Sequence, residues 1–421
     1  MEQIIADVDR LIVPALTHWS HPSFFAYFAT STSAPGIFGE LLSAAFDNKA
    51  MLWRTSPAST ELEEVTLDWL RQMMGLDPGL SGIIYDTASV SSMHAIAAAR
   101  EGVELRIREE GMSGRADLPL LRVYVSEQSH SSIEKGVITL GLGQRAVCKI
   151  PTDSDFRMDA KALERAIEED KRDGIVPFCI VATVGTTSTS SIDPVPAIIQ
   201  VCEKHTLWLH VDAAYAGSAA VVPELRYILN GCERADSLAV NPHKWLFTPV
   251  DCSALYTRRP DLLKRAFQHI PEYLVVSEGA GVTNLMNYSI ALGRRFRALK
   301  LWFVIRNFGV DGLRSLIREH IRIARKLAEW IDDDPEFERM AEANFSTVVF
   351  RHCPPGMSAT ELDAHNARLV ERVLATREVF LSHTRVRGKY ALRIAIGNIH
   401  TTEEHVRHAL ELVREAARAE A

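Results

Sequence analysis

Short apolar runs recur along the chain, separated by longer stretches whose apolar residues fall at helical spacing. The runs at 83–84, 121–125, 147–150, 178–184, 207–211, 237–240 and 253–256 predict strands. Between several of them, 61–74, 93–100, 159–173 and 194–205 predict helices. The helix at 61–74 is expected to start at Ser59 or Thr60, with Glu63 near the capping-box position. Strands that are apolar throughout, alternating with helices, predict an α/β fold: a mostly parallel central sheet with helices on both faces. Ahead of it, 2–17 carries Ile4, Ile5, Val8, Leu11, Ile12 and Leu16 on one helical stripe, with Pro14 able to kink the last turn. Beyond it come helices at 292–308 and 312–331. Strands at 347–351 and 391–396 then flank a helix at 359–375, a helix at 403–417 closes the chain, and 381–387 alternates more weakly. The pattern divides the chain into an N-terminal segment (1–33), a large domain (34–309) and a small C-terminal α+β domain (310–421).

Composition narrows the class. With 421 residues, 47% hydrophobic and 24% charged, the chain has ample material for a core. A net charge of −7 gives no overall electrostatic footprint for nucleic acid. No apolar run approaches the roughly 18–20 residues of a membrane span. The acidic, amphipathic start lacks a basic region and a signal core, so the cytoplasm is the expected compartment. The six cysteines are scattered without a CxxC pair, which predicts free thiols and no metal site.

Candidate chemistry centres on Asn241-Pro242-His243-Lys244-Trp245, set between two apolar stretches. Taken alone, the pentapeptide suits an ordinary surface loop as well as a buried lysine. Burial would depress the amine's pKa and make it a nucleophile toward an aldehyde. Upstream, the run 207–211 ends in Asp212, followed by Ala213, Ala214, Tyr215, Ala216 and Gly217. An acid ending a buried strand, beside residues too small to fill space, suggests a pocket. Pyridoxal phosphate (PLP) chemistry needs such an acid against the pyridine nitrogen and a lysine nearby. Parallel sheets place their sites at the carboxyl ends of strands. There the pattern also puts Thr186-Thr187, and Asp86-Thr87-Ala88-Ser89 opens a helix whose first turn could cap itself or hold an anion. The aromatic stretch 18–28 and the glycine-containing stretch 268–291, which holds Tyr273, could equally be packing and plain loop.

Longer stretches carry a resemblance. HPSFFAYF (21–28), TSPASTELE (55–63), SEQSHSSIEKG (126–136), VATVGTTSTSSID (181–193), LHVDAAYAGSA (209–219), NPHKWLF (241–247) and LGRRFRALKLWFV (292–304) resemble group II PLP-dependent amino-acid decarboxylases, most closely the aromatic-L-amino-acid type. The resemblance implies the fold-type I PLP-dependent transferase fold, PLP as cofactor and a homodimer. It implies catalytic roles for Lys244, which holds the cofactor, His130, which stacks on its ring, Asp212 against the ring nitrogen, and Tyr273, a proton donor on a closing loop. Thr87, Ala88, Ser89, Thr187, Ala214, Asn241 and His243 are implied as further cofactor contacts. Trp19, Tyr27, Phe28 and Thr30 are implied as the substrate-side wall, with Met51 and Trp53 near it.

The implied activity is decarboxylation of an aromatic L-amino acid to an amine and carbon dioxide. Oxidative conversion to an aldehyde, or decarboxylation of a non-aromatic amino acid, is the alternative; His130 and Tyr273 favour the amine. The sequence departs from the family at Asp86, where relatives usually carry glycine, and at Asn287-Tyr288-Ser289, where a tryptophan is frequent. Many relatives carry helices ahead of residue 1 that clasp the partner, so the dimer is expected to form here without them.

Overall fold

The computed structural model describes residues 1–28, 32–270 and 281–420. Two sheets organise it. The larger has seven strands: β1 (Ser81–Tyr85), β2 (Leu121–Ser126), β3 (Val147–Ile150), β4 (Val176–Thr183), β5 (Trp208–Asp212), β6 (Ser237–Val240) and β7 (Ser253–Thr257), in the spatial order β1-β7-β6-β5-β4-β2-β3. Strands β2 to β6 pair in parallel, and β7 runs antiparallel to both its neighbours. β5 and β6 are buried along their whole length, as expected for a sheet covered on both faces. Hydrophobic clusters fill the space on its two sides, one containing Leu209 and Val211, the other Val123 and Val181.

The second sheet is antiparallel, β8 (Phe337–Arg339), β9 (Thr347–His352), β10 (Ser382–Val386) and β11 (Lys389–Ala395), in the order β10-β11-β9-β8. The helices Ala359–Thr376 and Glu403–Arg418 pack with it around a separate core that includes Phe350, Leu369 and Val413. A 35-residue helix, Ala298–Asp332, joins the two units and breaks its backbone at Gly309, where φ is 64°. Its apolar residues through Ile321 belong to the large core and those from Ile323 onward to the small one. Phe25, from the N-terminal stretch, also packs into the small core.

Most expected elements lie within a residue or two of the observed ones, but the helices Ala34–Phe46, Ser131–Thr139 and Pro260–Phe267 have no counterpart in the expected pattern, and four further differences stand out. Residues 2–17 form an α-helix only over Glu2–Asp7, then a π turn and a 3-10 turn ending at Ala15, with no buried residue in any of them. A helix with no apolar face against a core has little to enforce regular geometry. Residues 292–297 are not helical; the helix begins at Ala298, after Arg294, Arg295 and Arg297 are drawn to Glu63, Glu40 and Asp251. β8 has too few residues to show a period. The helix at 61–74 starts earlier, at Pro57, and Glu63 does not cap it. Glu63 is buried, accepts from the Ile84 N–H at 2.9 Å and pairs with Arg294 at 2.7 Å.

All six cysteines are free, four of them buried. No helix among the described residues is long and apolar enough to cross a membrane.

Candidate active site

The parallel strands bring their carboxyl ends into register, with Thr183 opposite Asp212 and Asp212 opposite Ala239. A cavity of about 350 Å³ opens there, near the small end of the roughly 300–1,000 Å³ of ligand pockets. Glycines let the backbone beside it pack closely. Gly185 has φ +87°, and a Cβ there would come within 2.5 Å of the Ala216 Cβ. A Cβ on Gly217 would meet Val240 at 2.7 Å.

Thr87, Ala88, Ser89, His130, Thr187, Asp212, Ala214, Asn241, His243 and Lys244 all line this cavity, with Tyr27 and Phe28. Trp19 does not. It stacks on the outer side of Tyr27, ring centroids 5.3 Å apart, which puts it one ring behind the wall. Met51 and Trp53 are also off the wall, bonded through Met51 O and Trp53 N to Met286 and Asn284. Thr30 and Tyr273 lie outside the described residues.

Lys244 sits in the short helical turn Pro242–Trp245 that follows β6. It is only partly buried because it faces the cavity. Protein encloses it closely enough that desolvation lowers its pKa; the Asp212 charge opposes this and the Arg393 charge adds to it. An amine with a lowered pKa carries more of the neutral, nucleophilic form. Its turn is held from behind by an aromatic column. Phe28 stacks on Tyr215 at 4.0 Å, Tyr215 on Trp245 at 5.0 Å, and Trp245 Nε1 donates to His320 Nδ1 at 3.0 Å. Since His320 accepts at Nδ1, its Nε2 carries the proton and donates to the Asn398 carbonyl at 3.0 Å. Burial pushes the His320 pKa down to about 4, which keeps that tautomer neutral.

The other groups have equally specific settings. Asp212 accepts from the Ala214 N–H at 3.1 Å. His130 accepts at Nδ1 from the Ser132 N–H, leaving Nε2 protonated. Its ring is exposed beside the cavity, and burial, then the Lys244 charge, lower its pKa. His243 accepts at Nδ1 from the Cys252 N–H at 2.9 Å, and burial takes its pKa to about 4. It is therefore a neutral donor at Nε2.

Thr87 precedes the helix Ala88–Glu101 without using its side chain as a cap, and the Val90 N–H turns back onto the Thr87 carbonyl, so the Ala88 and Ser89 N–H groups and the Thr87 and Ser89 hydroxyls are the donors open to an anion. The carboxylate of Asp86 turns back onto the Thr87 N–H at 2.8 Å and acts on Arg297. That N–H is thereby lost to a phosphate. The stretch Asn287-Tyr288-Ser289 packs by backbone contacts: the Tyr85 hydroxyl donates to the Tyr288 carbonyl, and the Ile290 N–H donates to His94 Nε2 at 3.1 Å.

Arg393 is a site residue that sequence reasoning passed over. It projects from β11 of the small sheet, donates from Nε to the Thr187 carbonyl at 2.9 Å and from Nη1 to the Tyr27 carbonyl, and lies 4.6 Å over the Phe28 ring. Its Nη2 is buried without a partner, and the Thr183 hydroxyl and Asn241 Oδ1 on the cavity wall are buried and unpaired as well. Unpaired buried polar atoms are costly. Three around one cavity, together with a lysine, an acid and a helix N-terminus, fit a polar, phosphate-bearing aldehyde.

The doubly wound sheet with its small C-terminal unit, and a lysine and an aspartate at the strand ends, define a fold-type I PLP-dependent enzyme. Residues 1–353 match the family described as the pyridoxal-dependent decarboxylase conserved domain. The chain belongs to this family; it is a carboxy-lyase, and its cofactor is PLP. It is 41% identical to the aromatic-L-amino-acid decarboxylase of Sus scrofa over 98% of this chain and 85% of that protein. It is 38% identical to the phenylacetaldehyde synthase of Petunia hybrida over 99% of this chain and 85% of that one. Among solved structures, Oryza sativa TDC with PLP and tryptamine superposes with a TM-score of 0.95 at 37% identity, over 99% of this chain and 88% of that one.

Proposed function

We propose that the chain decarboxylates an aromatic L-amino acid, of the tyrosine, dopa, tryptophan or phenylalanine type, to the corresponding amine. The observation that carries this is one cavity in which Lys244 and Asp212 meet an aromatic wall of Phe28, Tyr27 and Tyr215. A flat side chain is the complement of such a wall. The decarboxylase of Sus scrofa and the tryptamine-bound TDC support the same reading.

In this proposal Lys244 holds the cofactor's aldehyde end and Asp212 its ring nitrogen. His130 covers the ring face, and the 87–89 turn with Asn241 and His243 holds the phosphate. Bound there, PLP supplies an electron sink for the pair released when the bond from the α-carbon to the carboxylate breaks. The remaining work falls to the chain. Arg393 offers the unpaired Nη2 to the incoming α-carboxylate, and its charge helps keep Lys244 neutral. One terminal nitrogen orients the carboxylate without the two-nitrogen, bidentate grip that would oppose its departure as neutral carbon dioxide. Tyr273, we propose, returns a proton to the α-carbon.

The active species is proposed to be a homodimer. Ile37, Phe38, Leu41 and Phe46 are exposed along one side of the helix Ala34–Phe46, and Tyr27 and Val250 on the cavity wall are each more than half exposed. A second copy covering this surface would also close the cavity against water.

The test is to supply a panel of amino acids and measure carbon dioxide and amine. Equimolar amine and carbon dioxide from an aromatic substrate is the expected result; turnover of only non-aromatic amino acids contradicts it. The Petunia relative favours a second reading, aldehyde synthesis, which the same assay separates by detecting aldehyde, ammonia and peroxide.

A further inference from the structure

A second cavity, of about 610 Å³, lies between the large and small units and shares no lining residue with the cofactor cavity. Its floor is the stretch 191–194. The turn around Phe156 forms one side, and residues 339–342 with Arg387 at the β10–β11 hairpin tip form the other. The lining carries both signs of charge. Arg387 lies 4.6 Å over the Phe156 ring and donates only to the carbonyls of Asp153 and Ser154; no carboxylate pairs with it among the described residues. The Glu342 carboxylate, also on the lining, is mostly exposed and touches only Arg339 Nη1, at 3.1 Å. Met340 and Tyr227 supply apolar surface between them. Asp155 pairs with Arg157 at 3.0 Å, as Glu342 does with Arg339, so a purely anionic ligand would meet these carboxylates and a purely cationic one Arg387, Arg157 and Arg339. A small molecule with both charges and an apolar body satisfies the whole lining.

The floor of this cleft and the wall of the cofactor cavity form one hydrogen-bonded unit. Asp193, on the floor, accepts from the Thr183 N–H at 2.8 Å, and Thr183 lines the cofactor cavity. The Ser191 carbonyl accepts from the N–H groups of Gly185 and Thr186 at 2.9 and 3.0 Å. Asn344 of the small unit reaches the Ser190 carbonyl, and Arg393 reaches that of Thr187.

We propose that this cleft binds the zwitterion of an α-amino acid with an apolar side chain, carboxylate toward Arg387 and ammonium toward Glu342. Its occupancy is linked to cofactor binding through the stretch 183–193. Linkage is reciprocal, so whatever the ligand does to cofactor affinity, the cofactor does to the ligand's.

The probe is L-leucine, titrated calorimetrically into the holoenzyme beside 3-methylbutylamine, which lacks the carboxylate, and 4-methylpentanoate, which lacks the ammonium. Leucine should bind, and each analogue should bind roughly tenfold more weakly or worse, the loss of one charged hydrogen bond. Ala341→Trp, which fills the cleft, should abolish binding, and Arg387→Ala should weaken it roughly tenfold or more. Both variants should keep the wild-type cofactor absorbance and kcat/KM. Should Ala341→Trp not fold, Arg387→Ala, on an exposed hairpin tip, carries the test alone. Saturating leucine should shift the PLP dissociation constant roughly twofold or more in the wild type, not in Ala341→Trp, and only at roughly tenfold higher leucine or more in Arg387→Ala. The proposal is overturned by absence of leucine binding, by binding that survives these variants, by an analogue that binds as tightly, or by an unshifted PLP affinity.

Discussion

Glu63 and Arg294 form a buried ion pair that ties three parts of the chain together. Both side chains are at most 3% exposed. Arg294 donates from Nη2 to Glu63 at 2.7 Å and to the Ile84 carbonyl at 2.7 Å, and from Nη1 to the Ala50 carbonyl at 3.2 Å. Glu63 also accepts from the Ile84 N–H. Glu63→Leu removes the counter-charge while Arg294 stays enclosed, which costs about 3–5 kcal/mol for a buried pair broken on one side. An unfolding entropy of about 2.1 cal/mol/K per residue gives about 0.9 kcal/mol/K for 421 residues. The melting temperature should therefore fall by about 3–6 °C. Glu63→Gln keeps an acceptor for both Arg294 and Ile84 and loses only the charge, so it should cost clearly less. The assay is thermal unfolding of the holoenzyme with excess PLP, at low and high salt. A buried pair is little screened, so the shift should survive salt. A Glu63→Leu protein melting within about 1 °C of wild type, or a Glu63→Gln protein as damaged as Glu63→Leu, would refute the reasoning.

Further outcomes follow from the same contacts. Arg393→Met should raise KM roughly tenfold or more by removing the α-carboxylate's partner, and, by removing a nearby positive charge, should raise the pH at which the absorbance of the Lys244-linked cofactor titrates; an unchanged KM and pH profile count against that role. His94, His210, His243 and His320 all have pKa values near 4 because burial disfavours their charged form. Their unfolded pKa is about 6.5, so the stability they contribute is complete above that pH and is lost as pH falls toward 4, by up to roughly 3 kcal/mol each. Apoenzyme melting should thus drop steeply between pH 6.5 and 4, and a flat profile there contradicts the assignment. Asp86→Asn should tighten PLP binding by roughly three- to tenfold, about what one nearby like charge costs in a hydrated site; weaker binding would show that the carboxylate helps. Phe38→Asp with Leu41→Asp should yield monomers by light scattering and lower PLP affinity, whereas an unaffected dimer would place the interface elsewhere.

The strands were legible because they are apolar throughout, and Asp212 and Lys244 stood out as polar groups at strand ends. Their convergence on one cavity follows from parallel register, which makes strand ends meet whatever their separation in sequence. Glu63 was misread because a capping box and a buried ion pair present the same local pattern; only the distant Arg294 distinguishes them. Arg393 was the stronger clue left unused. It interrupts the apolar run 391–396, and a charged residue in a buried strand needs a reason. Trp19 fell among aromatics whose order from the cavity outward depends on stacking, which linear spacing does not encode. The N-terminal helix over-extended because its apolar stripe is real but has no surface in its own chain to pack on.

Titration of PLP into wild type and Lys244→Ala tests most directly whether the Lys244 amine holds the cofactor opposite Asp212. Wild type should gain a long-wavelength absorbance band at one equivalent per chain, and borohydride should bleach that band while fixing the cofactor covalently to the peptide containing residue 244. Lys244→Ala should show neither the band nor the attachment. A band and a labelled peptide that persist in Lys244→Ala, or attachment to another lysine in wild type, would contradict the account.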